Sequence, residues 1–243
     1  KYAEITPWQV RQIWAAADLR PYRLKTFKIS NDPKFSDKVV DIVGLYMNPP
    51  ENAIVLSVDE KTQIQALDRT QPGLPLNPSR IGSQTYDYKR HGTVSLYAAF
   101  NTLTGKVIGK VADRTNSKEF LSFLKLVDRR THSNKDLHII LDNLSAHKTK
   151  EVREWVEANP RIHLHFTPTS SSWLNAVEGW FSQLERRALY RGVFTSVSEL
   201  KMELENFIRA HNAESASAKP FKWTKPAGQI LASVERAKQS LQN

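Results

Sequence analysis

Apolar residues recur along this chain with a period that changes several times, and each change marks an element. Residues 6 to 18 read as a short helix, with Thr6 as cap, Pro7 at the first helical position and Val10, Ile13 and Trp14 on one face. A second helix is predicted from Asp32-Pro33 to Met47, ended by Asn48-Pro49-Pro50 because proline cannot continue it. From Ala53 to Val58 the chain is almost continuously apolar, which predicts a buried strand ending at Asp59. Residues 66 to 92 lack a period and carry proline, glycine and basic residues, so a long loop is expected there. Thr93 to Phe100 and Lys106 to Val111 read as strands joined by a tight turn at Asn101 to Gly105. Asn116 and Glu119 form a capping signature for a helix to about Asp128, and Leu137 to Leu141 is a further buried strand, ending at Asp142. A helix from Thr149 to Ala158, a strand at Ile162 to Phe166 and a polar connection at Thr167 to Ser172 follow. One helix is predicted from Trp173 to Arg191, with Gly192 as its left-handed cap, and another from Ser196 or Ser198 to His211. Glu214 to Lys219 reads as a linker before a last helix from Pro226 to about Leu241.

The string is three strands, helix, strand, helix, strand, helix. The first three strands can form an antiparallel meander, whereas the later ones must cross over through helices and run parallel. A mixed five-stranded α/β sheet with helices on both faces has the ribonuclease H-like topology, here with an N-terminal helical segment and C-terminal helices. Other α/β arrangements fit the same string.

Composition narrows the chemistry. The 243 residues suffice for one large domain, 40% of them are hydrophobic, and no apolar run is long enough to cross a bilayer as a helix. With no cysteine, disulfides, thiol nucleophiles and thiolate zinc sites are excluded. The first residue is Lys1, so the chain is expected to begin inside a longer protein. A formal net charge of +10 favours a polyanionic partner, of which nucleic acid is the commonest.

Candidate chemistry rests on carboxylates. Asp59 and Asp142 each follow an apolar strand, and α/β sheets put their sites at the carboxyl ends of parallel strands. Either one alone reads equally as a turn residue. Glu178 lies among Leu174, Val177, Phe181, Leu184 and Ala188, on the apolar stripe of its helix, where an unpaired carboxylate is costly. The alternative is a place at the stripe edge, in water or beside an arginine, and Glu185 competes for the same role. Three converging carboxylates suit two hard ions, Mg²⁺ or Mn²⁺, which stabilise the attacking and leaving oxygens of a phosphoryl displacement.

Four blocks in order, SVDEKTQIQALDRTQPG (57 to 73), YKRHGTVSLYAAF (88 to 100), LDNLSAHK (141 to 148) and HFTPTSSSWLNAVEGWF (165 to 181), resemble transposases of the Tc/mariner superfamily, most closely its bacterial insertion-sequence branch. The 35 residues between Asp142 and Glu178 fit that family's acidic spacing. The resemblance implies an acidic triad of Asp59, Asp142 and Glu178 and metal-dependent excision at transposon ends with insertion at TA. It further implies a bacterial cytoplasmic, nucleoid-associated protein acting on DNA as a homodimer, with residues 66 to 92 as a clamp-like loop reaching the partner. Residues 1–50 then correspond to the tail of a helix-turn-helix DNA-binding region and its connector, 51–213 to the catalytic domain, and 214–243 to a linker and C-terminal helix. Two alternatives remain: a nuclease of the same fold that only hydrolyses, and a DNA-binding descendant without chemistry.

Around the triad, Asn143 is a candidate to orient Asp142, His147 to contact phosphate or a metal-bound water, and Asn175 to support the site; capping and solvated roles are equally open for Asn143 and His147. His163 and His165 alternate on a strand and read as structural. Trp173 could stack on a flipped base, although a tryptophan opening a helix is more often core. Lys61, Arg69, Lys89, Arg90, His91, Lys148, Arg186, Arg187 and Arg191 are candidate phosphate contacts as a set, each alone a solvated charge.

Overall fold

In a computed structural model, residues 5–17, 29–69, 87–190, 192–213 and 218–242 are described. They hold helices α1 (Pro7–Ala16), α2 (Phe35–Met47), α3 (Ser117–Arg130), α4 (Lys150–Glu157), α5 (Val177–Leu184), α6 (Val197–Ala213) and α7 (Ala227–Gln242). The strands are β1 (Ala53–Arg69), β2 (Tyr88–Asn101), β3 (Val107–Ala112), β4 (Asp136–Leu141) and β5 (Ile162–Phe166). They form one five-stranded sheet in the order β3-β2-β1-β4-β5. β1, β2 and β3 pair antiparallel, and β4 runs parallel to both β1 and β5, as the connection lengths require. This is the ribonuclease H-like arrangement expected from the sequence.

Alternation along the strands builds a core on each face. Leu56, Val58, Tyr97 and Ala99 pack against Phe120, Phe123 and Val127 of α3. Leu96, Ala98 and Phe100 pack against Trp180 and Leu184 of α5 and Leu200 and Leu204 of α6. Val55 and Ile140 meet Ile42 and Leu45 of α2, and α2 also packs with Ile230 of α7. The Asn116 side chain caps α3 by accepting from the Glu119 N–H at 2.9 Å. Gly105 closes the β2–β3 turn at φ 73°, and an added Cβ there would lie 2.2 Å from the Lys219 carbonyl oxygen.

Several expectations are corrected. Asp59 does not end its strand: β1 continues to Arg69, because β2 goes on pairing with it antiparallel after β4 has stopped. The 66–92 loop is correspondingly shorter, since 66–69 and 88–92 are strand; its tip, 70–86, lies outside the described residues. The helix predicted from Trp173 is broken. Ser172–Leu174 is a 3₁₀ turn, Asn175 is extended, and α5 begins only at Val177, running into a π-helical turn at Glu185–Leu189. Gly192 has no left-handed backbone; glycine is needed there because a Cβ would sit 2.4 Å from the Phe194 ring. The α1 face with Val10, Ile13 and Trp14 buries none of them.

Candidate active site

The parallel register brings the two aspartates together. The last β1–β4 pair is Ser57 with Ile140, so two residues further along each strand Asp59 faces Asp142. On β1 successive side chains alternate faces, which sends Ser57 and Asp59 toward α5 and Glu60 toward α3.

Asp59 is held by an amide. Its Oδ2 accepts from Asn175 Nδ2 at 3.1 Å, and its Oδ1 from the Glu60 N–H at 2.8 Å. Asn175 is buried; it also donates to the Val58 carbonyl at 2.9 Å and accepts from the Ser57 hydroxyl. That hydroxyl in turn accepts from the Val177 N–H at 2.9 Å. The break before α5 is what frees Asn175 to reach across to β1. Burial pushes the Asp59 carboxyl up to about 7, and the charges of Glu60, Asp142 and Glu178 add to that rise against the pull of the Glu60 N–H.

Asp142 is held by a ring. Its Oδ1 lies 3.1 Å from His147 Nδ1 and accepts from the Leu144 N–H at 3.0 Å. Hydrogen bonding to His147 is the main reason its carboxyl stays below the usual range. His147 is neither solvated nor placed to meet DNA. It is fully buried against Phe120, with ring centroids 4.0 Å apart, and its Nε2 is 3.3 Å from Glu60 Oε2. Burial alone would lower its pKa, but Asp142 and Glu60 outweigh that and raise it to about 9. Glu60 escaped the sequence reading. Its signal was available, since the residue after a strand aspartate points to the opposite face, but its partner is 87 residues away in sequence.

Other candidates move. Asn143 does not orient Asp142; its amide donates to the Thr167 carbonyl and accepts from Lys148 Nζ at 2.6 Å, tying the ends of β4 and β5 together. Glu178 is exposed: the predicted stripe of Leu174, Val177, Phe181, Leu184 and Ala188 is buried, with Trp180 beside it, and Glu178 lies at its edge in water, the alternative left open by the sequence. It stands in the first turn of α5, where a carboxylate suits the helix dipole. Glu185 forms an ion pair with Lys61 at 2.8 Å.

Of the basic candidates, Lys148 is beside the acidic site, with its ammonium 4.7 Å above the Phe166 ring. Arg69, Lys89, Arg90 and His91 sit at the far end of the β1–β2 ribbon. Arg69 pairs with Tyr88, ten residues beyond Asp59, up to about 33 Å along a strand. Lys89 and Arg90 are exposed, and His91 lies 3.5 Å from Asp68. Arg186 and Arg187 are exposed on the π-helical turn, and Arg191 is outside the described residues. Trp173 is 49% exposed. His165 links Asp41 at 2.7 Å and His138 at 2.9 Å, joining α2 to the sheet, the structural role expected of it.

The donors are carboxylate oxygens gathered around a half-buried Asp59 whose charge its neighbours oppose, a set that hard, oxygen-preferring cations fit. Among the described residues no three or more His, Cys, Asp or Glu side chains form a group that could hold a metal ion. None of the described helices is long and apolar enough to cross a membrane.

A family model described as DDE superfamily endonuclease matches residues 55–201. The uncharacterized 39 kDa protein of insertion element IS630 from Shigella sonnei is 27% identical over 113 residues, which is 46% of this chain and 33% of that protein. Among solved structures, the Mos1 mariner paired-end complex with Mn aligns at TM-score 0.62 and 13% identity over 98% of this chain and 71% of that one. The catalytic domain of Mos1 mariner transposase aligns at TM-score 0.52 and 14% identity over 91% and 97% of the two chains. At such identities these two likenesses establish the shared fold, and the insertion-element relative and the family model agree with the Tc/mariner resemblance of the sequence.

Proposed function

We propose that this chain, which belongs to the DDE superfamily endonuclease family, is the catalytic part of a DNA transposase whose divalent cations are held by Asp59, Asp142 and Glu178. The reaction is cleavage of DNA at transposon ends followed by strand transfer into TA-containing target DNA. The observation that carries this reading is the parallel register that sets Asp59 opposite Asp142 beyond the last β1–β4 pair, where burial first and then the charges of Glu60, Asp142 and Glu178 push the Asp59 carboxyl up to about 7. A site with that excess of negative charge is built for cations.

When bound, two Mg²⁺ or Mn²⁺ ions supply activation of a water or DNA 3′-hydroxyl and neutralisation of the leaving oxygen. The chain's own residues supply orientation. Asn175 fixes the Asp59 carboxylate, and the chain from Val177 through Ser57 fixes Asn175. His147 fixes Asp142 and carries a positive charge that offsets Glu60. Lys148 and the exposed Arg186 and Arg187 meet phosphates near the acids, while Lys89 and Arg90 on the ribbon meet DNA further out. The active complex is a homodimer that pairs two ends, with the segment after Arg69 reaching the partner. Residues 1–50 are the tail of a helix-turn-helix DNA-binding region and its connector, 51–213 the catalytic unit and 214–243 a linker and C-terminal helix, and the protein works at the bacterial nucleoid.

Replacing Asp142→Asn removes a metal-holding charge without changing shape. Mn²⁺-dependent cleavage of end-containing DNA is expected to vanish while DNA binding persists or tightens, and undiminished cleavage overturns the assignment. With the wild-type protein, joined transposon–target products separate a transposase from a hydrolytic nuclease, which yields cut ends only.

A further inference from the structure

A groove of about 520 Å³ lies between the Ser172–Leu174 turn and the start of α7. It is lined by Trp173, Phe221 and Trp223 together with Lys222 and Lys225, and no carboxylate lines it. Its size is that of a small-molecule site, and its chemistry is aromatic faces with a cationic rim. Arg236 adds a third cation, donating to Ser233 at 3.1 Å, and Lys225 lies 3.4 Å from the same hydroxyl. Glu235, the one carboxylate of α7, is turned to Lys238 at 3.9 Å.

The aromatic faces are held in place. Trp173 and Trp223 are nearly parallel, 25° apart with centroids at 6.4 Å, and Trp223 stacks in turn on Tyr46 at 5.6 Å. The Tyr46 hydroxyl donates to the Leu174 carbonyl at 2.8 Å and accepts from the Ala176 N–H at 3.2 Å. Those two residues flank Asn175, the residue that holds Asp59. The stack and the acidic site are thus anchored to one short stretch of backbone, yet Trp173 leaves half its surface in water. A half-exposed indole lying parallel to a second one, in a groove that two lysines also line, matches a ligand with a flat face and negative charge.

We propose that this groove binds one unpaired nucleobase of a DNA strand, stacked on Trp173, with the adjoining phosphate on Lys222 and Lys225. Stacking on an aromatic face accepts any base, and only a base out of the duplex can reach it. The inference rests on the reading of the neighbouring site as one that works on DNA. It adds that a strand is frayed or a base turned out next to the acids.

The test is fluorescence anisotropy without divalent metal, comparing blunt duplex DNA with the same duplex carrying a short single-stranded overhang. Trp173→Ala is expected to weaken overhang binding on the order of 5- to 150-fold, as loss of one stacked base does, and to leave blunt-duplex binding nearly unchanged. Trp173→Phe keeps most of the affinity. An abasic nucleotide at one overhang position weakens the wild type by a similar factor and Trp173→Ala no further. Equal effects on blunt and overhang DNA overturn the inference while leaving the proposed function standing. So does a monomer–dimer shift of Trp173→Ala in sedimentation, which would mean that a second copy, for instance through the exposed Trp8 of α1, fills the groove. A wild-type protein that binds neither DNA overturns both readings.

Discussion

Asp59 is held by a neutral amide and Asp142 by a cationic ring, although the two aspartates face each other across adjacent strands. Asp59 lies within a long strand, half-buried and surrounded by other carboxylates, and its carboxyl is pushed up to about 7. Asp142 lies just past the end of a strand, with His147 and Lys148 nearby, and its carboxyl is held down. One side of the site therefore carries a charge already balanced by the protein, while the other keeps its carboxyl protonated up to about pH 7 unless a cation takes the place of the proton. In the proposed metal site this division would have a use. A ligand neutralised in advance fixes position, and a ligand left frustrated supplies affinity.

The comparison can be broken from either side. The largest effect is expected for His147→Ala. That substitution strands Glu60, whose side chain is 6% exposed, beside an empty space, and removing one partner of a buried pair costs about 3–5 kcal/mol. Asn175→Ala leaves no buried charge, so its stability loss should be about 1–3 kcal/mol. Both should lower Mn²⁺-dependent cleavage or metal affinity by about 10–100-fold, as the loss of a ligand's outer partner does. Denaturant unfolding together with metal titration distinguishes the two, and equal unfolding penalties would erase the asymmetry drawn here.

The pH dependence sharpens it. In metal-free protein the folded state keeps a proton on Asp59 up to about pH 7, whereas the unfolded chain releases it near its ordinary value of 3.8. Stability therefore falls as pH rises through that window. His147 adds stability that is fully present below its ordinary 6.5 and lost as pH rises toward about 9. Asp142, shifted downward, loses its contribution only when pH drops below 3.8. The melting temperature should accordingly decline from pH 4 to 9, and Mg²⁺ should restore more of it at pH 8 than at pH 5. A metal-free melting temperature that rises across this range would contradict the charge arrangement.

The smallest effect is expected for Glu185→Ala. Its partly exposed pair with Lys61 contributes at most about 1 kcal/mol, and cleavage should persist, in contrast to Glu178→Ala. Loss of cleavage in Glu185→Ala would transfer the third acidic role to it.

Much of the fold was readable because its signals are local. β5 has the predicted bounds, and the caps at Thr6 and Asn116 form as their side chains dictate. The errors share a cause. β1 outruns its apolar stretch because pairing with β2, together with the alternate burial of Ile64 and Ala66, sustains it. The helix predicted from Trp173 breaks at Asn175 because that side chain gains more from Val58, Ser57 and Asp59 across the sheet than from the helix it interrupts.

The sequence by itself determined the order of the elements and the mixed direction of the strands, since hydrophobic period and connection length are properties of the chain. Only the tertiary structure decided which charge faces which. His147 meets both Glu60 and Asp142, Asn175 meets Asp59, and Glu178 turns to solvent. Those relations depend on strand register and on the break in the chain before α5, and both are set by packing between segments that are distant in the chain.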